Sequence, residues 1–184
     1  PNVTFLVALD TGSDLFWVPC DCKQCASDIE PSIYSPNRSS TSKRIPCSSK
    51  LCKSECAGAS DCPYMVSYAS NNTSSSGILI EDVMYLTTED EVVDAQIVFG
   101  CGQVQSGLFL DGAAPNGLFG LGLGKTSVPS ILSTAGLTAD SFSLCFGQDG
   151  IGRIIFGDKG SPDQQETALI HKSLYNVSVT GLRV

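Results

Sequence analysis

Val3-Thr4-Phe5-Leu6-Val7-Ala8-Leu9-Asp10-Thr11-Gly12-Ser13-Asp14-Leu15-Phe16-Trp17-Val18-Pro19 is the stretch on which the reading of this 184-residue chain turns. An apolar run of β character ends in Asp10, an acid that is costly to bury without partners, and a turn at Gly12 follows. A carboxylate fixed in a tight, partly buried turn is a candidate acid/base group. The chemistry it suggests needs two such groups, so the stretch reads as half of an active site.

The rest of the composition narrows the setting. Hydrophobic residues make up 42% of the chain and charged residues only 16%, which places it among globular chains. The length suits one domain, or one and a part of another. Nineteen Asp+Glu against 11 Lys+Arg give a formal charge of −8, which argues against nucleic acid and anionic membrane as partners. No apolar stretch reaches the roughly 18 residues of a spanning helix, so no membrane contact is expected from this segment. The chain opens on Pro1 rather than Met, so a processed or partial sequence is expected.

Nine cysteines stand at Cys20, Cys22, Cys25, Cys47, Cys52, Cys56, Cys62, Cys101 and Cys145. Cys20, Cys22 and Cys25 cluster as zinc ligands can, but zinc fingers usually repeat a paired knuckle or add His, and the only His is His171. Disulfides are therefore expected, and no metal. A second signal agrees. Of six Asn, five open an Asn-x-Ser/Thr sequon, namely Asn2, Asn37, Asn71, Asn72 and Asn176. With 36 Ser+Thr in the chain, chance supplies roughly one such site among six Asn. Asn71 and Asn72 overlap, so one glycan is expected there. Sequons and cysteines together indicate the secretory pathway.

Periodicity along the chain is mostly two. Residues 78–87, 92–99 and 151–156 predict strands between Gly, Asn or Asp turns, and 174–184 alternates as a strand does. Residues 128–133 predict one short helix, with Gly136 placed to end it. Between residues 20 and 63 lie seven of the nine cysteines and little apolar periodicity, which predicts a loop-rich insert held by disulfides. The run 174–184 stops without a turn, as a truncated strand would.

Asp-Thr-Gly-Ser alone is modest evidence, since a plain hairpin turn with an exposed Asp gives the same string. Its context adds weight. Trp17, the only Trp, follows Asp10 by seven residues, and a buried indole N–H needs a partner. Tyr64-Met65-Val66-Ser67-Tyr68 then runs into a Ser-rich tip and leaves through Gly77. Asn116-Gly117-Leu118-Phe119-Gly120-Leu121-Gly122 brings glycines that permit close backbone approach.

That set, in that order, resembles the N-terminal lobe of the pepsin-like aspartic proteases over essentially the whole chain. The Cys-rich insert, Pro46-Cys47-Ser48-Ser49-Lys50-Leu51-Cys52, Phe99-Gly100-Cys101-Gly102 and Phe142-Ser143-Leu144-Cys145 are similar to the plant nepenthesin-like branch. Asp14-Leu15-Phe16-Trp17-Val18-Pro19-Cys20-Asp21-Cys22 is similar to a group of plant aspartyl protease family proteins within it. The resemblance implies an all-β fold, a barrel or sandwich with few short helices that forms one half of a bilobal molecule. Residues 1–170 would be the catalytic lobe, with the insert at 20–63, and 171–184 the start of a truncated C-terminal lobe.

The resemblance also implies roles. Asp10 is the first catalytic aspartate, supported by Thr11, Gly12 and Ser13; Ser13 hydrogen-bonds it and Thr11 joins a bridge between lobes. Tyr68 is the flap tyrosine, with Trp17 as its hydrogen-bond partner, and Leu118 and Phe119 line the substrate cleft. Cys47 pairs with Cys62 and Cys52 with Cys56; Cys25–Cys101 and Cys20–Cys22 complete the set, the last a small and strained ring. Cys145 bonds into the missing lobe. One departure is visible: the family's flap tip is short, whereas here Ala69–Ser76 follow Tyr68.

Two close carboxylates cannot both ionise cheaply and share a proton, pepsin being the standard case. The ionised member takes a proton from water, which attacks the peptide carbonyl, and the protonated member donates to the oxyanion. No metal, cofactor or covalent intermediate is needed. A second Asp-Thr/Ser-Gly occurs nowhere in the chain. Asp61 and Asp158 read as turn residues and His171 as a surface residue. The expected whole is a monomeric acid endopeptidase acting on polypeptides, extracellular, in the cell wall or in the vacuole. The alternative is a wall protein of the same fold that is catalytically inactive and inhibits glycoside hydrolases; the intact Asp10 motif argues against it. A homodimer in which two copies of Asp10 meet is disfavoured by the odd Cys145 and the unfinished last strand.

Overall fold

The computed structural model of the protein describes residues 3–29, 33–70, 72–87, 92–170 and 173–181. It forms two compact units, Pro1–Leu9 with Leu15–Phe119 and Asp10–Asp14 with Gly120–Val184. Strand alternation dominates the first. β5 (Ser74–Thr87) and β6 (Val92–Ser106) pair antiparallel from Ser74↔Ser106 to Thr87↔Val92. On β6, Ala95, Ile97, Phe99 and Cys101 are all buried, the period of two that one covered face requires. The strands expected at 78–87 and 92–99 are thus present and longer.

β2 (Trp17–Gln24) lies parallel to β6, with Trp17 opposite Gly100 and Val18 opposite Cys101. It is antiparallel to β7 (Leu118–Gly120), with Trp17 opposite Leu118. β1 (Ala8–Asp10), β3 (Lys43–Arg44) and β4 (Pro63–Ser67) complete a seven-stranded sheet in the order β1-β7-β2-β6-β5-β3, with β4 on β5. Of the apolar run before Asp10, only Ala8 onward is strand. Gly100 makes room for aromatics: a Cβ there would lie 2.6 Å from Tyr64 Cζ and 2.9 Å from Trp17 Cβ. Gly117 has φ +104 and presses against the Trp17 carbonyl, a position open only to glycine.

The second unit holds α1 (Val128–Thr134), which buries Val128, Pro129, Ser130 and Leu132, and the hairpin of β8 (Phe142–Phe146) with β9 (Gly152–Phe156). The helix and the strand near 151–156 match the sequence pattern. The alternating run at 174–184 does not become a strand over its described residues. Alternation gives a residue pattern but no ladder partner. Its backbone bonds stay local, from Ile170 N–H to the Asn176 carbonyl and from Asn176 N–H to the Leu174 carbonyl.

All four disulfide pairings expected by resemblance are corrected. The bonds are Cys20–Cys101, Cys22–Cys25, Cys47–Cys56 and Cys52–Cys62. Sheet register brings Cys20 to Cys101, at a Cα separation of 4.9 Å. Beyond Pro19 the register of β2 against β6 shifts and Asp21 takes φ +40, so the strand's alternation breaks between Cys20 and Cys22, and Cys22 bonds to Cys25. In the insert the sulfurs crowd together, with Cys52 Sγ 3.7 Å from Cys56 Sγ, so proximity in the chain does not choose the partner. Cys145 is free and exposed.

Candidate active site

Asp10 closes β1, and the turn after it folds back on its carboxylate. Gly12 N–H donates to Asp10 Oδ1 at 2.9 Å and Ser13 Oγ donates to Asp10 Oδ2 at 2.5 Å. These bonds supply what an acid needs to be held half-buried. Two backbone bonds fix the loop: Leu121 N–H donates to the Asp10 carbonyl at 2.8 Å and Gly122 N–H to the Ser13 carbonyl at 2.9 Å. Thr11 is exposed at the apex. Asp14 ends the loop and accepts from Gly124 N–H at 2.8 Å. Tyr175 donates its hydroxyl to the Leu121 carbonyl at 2.8 Å. Burial first, then the negative charges of Asp140 and Asp14, push the Tyr175 hydroxyl above its ordinary range, so it stays a donor.

In the first unit, a buried aromatic cluster forms from Trp17, Tyr64, Phe109 and Leu118, with Leu15, Val66, Tyr68, Leu79 and Ala114 packed against it. Trp17 Nε1–H donates to the Tyr68 hydroxyl at 2.8 Å. Both rings meet Phe109 edge-on, each at 5.1 Å. Tyr64 shares a hydroxyl bond with Ser75 at 2.8 Å, and burial pushes its own hydroxyl far up. Leu118 belongs to the cluster, whereas Phe119 packs on Phe16 at 5.2 Å.

The hairpin carrying Tyr68 is tighter than the sequence suggests. Tyr68 N–H donates to the Thr73 carbonyl and Thr73 N–H to the Ser70 carbonyl, and β5 has begun by Ser74. The Ser-rich run is therefore strand, not loop. Ser106 Oγ donates to the Asn72 carbonyl at 2.7 Å and lies 2.7 Å from Ser74 Oγ, while Leu108 N–H donates to Thr73 Oγ1 at 3.1 Å.

The structure thus brings Asp10, Gly12 and Ser13 together in one unit, and Trp17, Tyr68 and Leu118 together in the other. Phe109, Tyr64 and Asp14 were missed as members of these groups. Phe109 follows Ser106-Gly107-Leu108 without strand alternation, so no period marked it, but Asp14 was visible as an acid standing before an apolar run. Asn37, Asn72 and Asn176 are exposed, while Asn2, Asn71 and His171 lie outside the described residues. The sulfurs of Cys47, Cys52 and Cys56 lie within 4.8 Å of one another, but as disulfides they offer a metal no thiolate. Asp158 accepts from Gly160 N–H at 2.9 Å, as a turn Asp does, and Asp61 pairs with Arg44 at 3.1 Å.

A mostly-strand chain with this sheet has the fold of the N-terminal lobe of a pepsin-like aspartic protease. The family model described as "Xylanase inhibitor N-terminal" matches residues 1–158, and the chain belongs to that family. It is 55% identical over 201 residues to "Aspartyl protease family protein 1" of Arabidopsis thaliana, covering 100% of this chain and 39% of the relative. It is 51% identical to "Aspartic proteinase-like protein 1" of the same plant, covering 92% of this chain and 36% of that protein. "Aspartic proteinase nepenthesin-2" of Nepenthes gracilis is 32% identical, with 100% and 42% covered. The chain therefore spans about two-fifths of the length of the curated relatives it matches.

Proposed function

We propose that the full-length protein is an aspartic endopeptidase, with Asp10 as one of its two catalytic carboxylates. The observation that carries this is the Asp10 turn, in which Gly12 N–H and Ser13 Oγ each take one carboxylate oxygen. A carboxylate aimed and partnered in this way is ready to share a proton with a second acid and to activate a water between them. Thr11 supports the loop at the lobe junction, Tyr68 and Trp17 form the flap pair, and Leu118 and Phe119 line the cleft. The substrate is an extended polypeptide, cleaved at acid pH without metal or cofactor.

The second carboxylate comes from a C-terminal lobe of the same protein, which residues 171–184 begin once 1–170 have completed the first. Apolar surface in the second unit supports this: Phe146 is 84% exposed and Val179 76%. Cys145 bonds into that lobe, and the full-length molecule is monomeric. Four disulfides suit an oxidising compartment, and the protein is secreted to the wall or vacuole with glycans on its sequon asparagines. The description of the matching family keeps a second reading open, an inactive inhibitor of glycoside hydrolases.

One assay separates the two. The full-length protein should hydrolyse a denatured protein near pH 3–5 and be blocked by pepstatin, and Asp10→Ala should lower that rate by about 10³-fold or more. Full activity in Asp10→Ala would sink the assignment. Inhibition of a xylanase by a wild-type protein with no peptidase activity would establish the other reading.

A further inference from the structure

We infer that Asp14 is a positioning residue: its carboxylate locks the Asp10 loop onto the segment at 121–124. The inference deepens the peptidase reading and rests on it. The five-residue loop Asp10–Asp14 carries two acids that are used differently. Both oxygens of Asp10 are engaged within the loop, by Gly12 and Ser13. Asp14 instead reaches outward to Gly124 N–H.

Three rungs result, from the N–H groups of Leu121, Gly122 and Gly124 to the Asp10 carbonyl, the Ser13 carbonyl and Asp14 Oδ1. The first two join backbone to backbone and use no side-chain atom. The third exists only if residue 14 supplies a side-chain oxygen of the right reach. Two glycines shape the slot for it. A Cβ on Gly122 or on Gly124 would overlap the Asp14 carboxylate, and on Gly122 it would also crowd the Ser13 carbonyl. Asp14, Gly122 and Gly124 therefore fit as a set. From the other side, the Tyr175 hydroxyl holds the Leu121 carbonyl, and the Asp14 charge helps keep that hydroxyl protonated.

The consequence is mechanical. Because the bonds to the Asp10 carboxylate are internal to the loop, they fix its orientation relative to the loop and not the placement of the loop itself. The rungs do that. Losing the last one frees the end of the loop, and a misplacement of about 1 Å at a reacting group can cost about 100-fold in rate.

The test uses the full-length protein with Asp14→Ala, Asp14→Asn and Gly124→Ala. Asp14→Ala should lower kcat by about 10- to 100-fold at a KM within about twofold of wild type, with an unchanged titre of pepstatin-binding sites. Gly124→Ala, which crowds the slot, should act in the same direction. Asp14→Asn keeps an oxygen acceptor for Gly124 N–H and should restore most of kcat, a rescue that loss of general stability would not produce. Wild-type kcat in Asp14→Ala, beside an inactive Asp10→Ala, overturns the positioning role and leaves the peptidase reading standing. A wild-type protein without pepstatin-sensitive hydrolysis overturns the peptidase reading instead. Amide exchange then still decides the clamp: Gly124 should exchange at least about tenfold faster in Asp14→Ala than in wild type or Asp14→Asn, and equal rates overturn it.

Discussion

The Asp10 loop and the Trp17–Tyr68–Phe109 cluster each draw on the stretch Asp10–Trp17, yet they are held by opposite means. The loop is an arrangement of polar bonds around a half-buried acid, with donors from Gly12, Ser13, Leu121, Gly122 and Gly124. The cluster is packed apolar area, centred on a Trp with no exposed surface and joined by one polar bond to Tyr68. Burial is worth several kcal/mol per large side chain, whereas an internal hydrogen bond nets about 1 kcal/mol. On the proposed peptidase reading, side chains of the loop can therefore be exchanged at little cost to folding and great cost to chemistry, whereas exchanges in the cluster cost folding first.

That contrast can be broken at Trp17. Trp17→Ala should destabilise the protein by about 3–5 kcal/mol, measured by urea unfolding, while Asp10→Ala should move the same curve by less than about 1 kcal/mol. Similar losses from both would erase the distinction. Tyr68→Phe is a finer probe, because it keeps the ring on Phe109 and removes the acceptor for Trp17 Nε1–H. About 1 kcal/mol should be lost, and a null result would mean that water takes over the indole N–H.

A third carboxylate, Asp82, extends the comparison to a polar cluster with a structural task. It accepts from the Tyr34 hydroxyl at 2.6 Å, from Thr41 Oγ1 at 2.5 Å and from Val83 N–H at 2.8 Å, tying the insert to β5. Burial alone would raise the Asp82 carboxyl, but the hydrogen bonds from Thr41, Tyr34, Ser39 and Val83 outweigh it and hold it below its ordinary value of 3.8. Tyr34 is pushed up to about 12, by burial and then by Asp82, and stays a donor at every working pH. A depressed folded-state value gives stability that is present above the ordinary carboxylate range and lost as pH falls through the lowered one. Thermal midpoints from pH 6 to pH 2 should therefore show wild type above Asp82→Asn at the upper end, with the gap closing below about pH 4. A gap constant with pH would show that Asp82 acts through shape and not charge.

Much of this was legible in the chain. Ala95, Ile97, Phe99 and Cys101 alternate as one face of a strand must, and Trp17 stood out as an aromatic whose indole N–H needs a partner, which the family resemblance supplied as Tyr68. Spacing failed where three-dimensional register decides the outcome. Cys20 meets Cys101 because β2 lies beside β6, and no count along the chain reports that. Residues 174–181 alternate without forming a ladder, since periodicity describes a face and not the strand that would cover it. Asp14 lay in plain sight beside the motif that drew attention to Asp10. Its partner is a backbone N–H, and backbone groups leave no mark in a sequence.

The central claim, that Asp10 is one half of a two-carboxylate site completed within a single chain, is tested most directly by calorimetric titration of the full-length protein with pepstatin near pH 4. One inhibitor should bind per chain in the wild type, and binding should be lost or greatly weakened in Asp10→Ala. No binding to the wild type, or one inhibitor for every two chains, would contradict it.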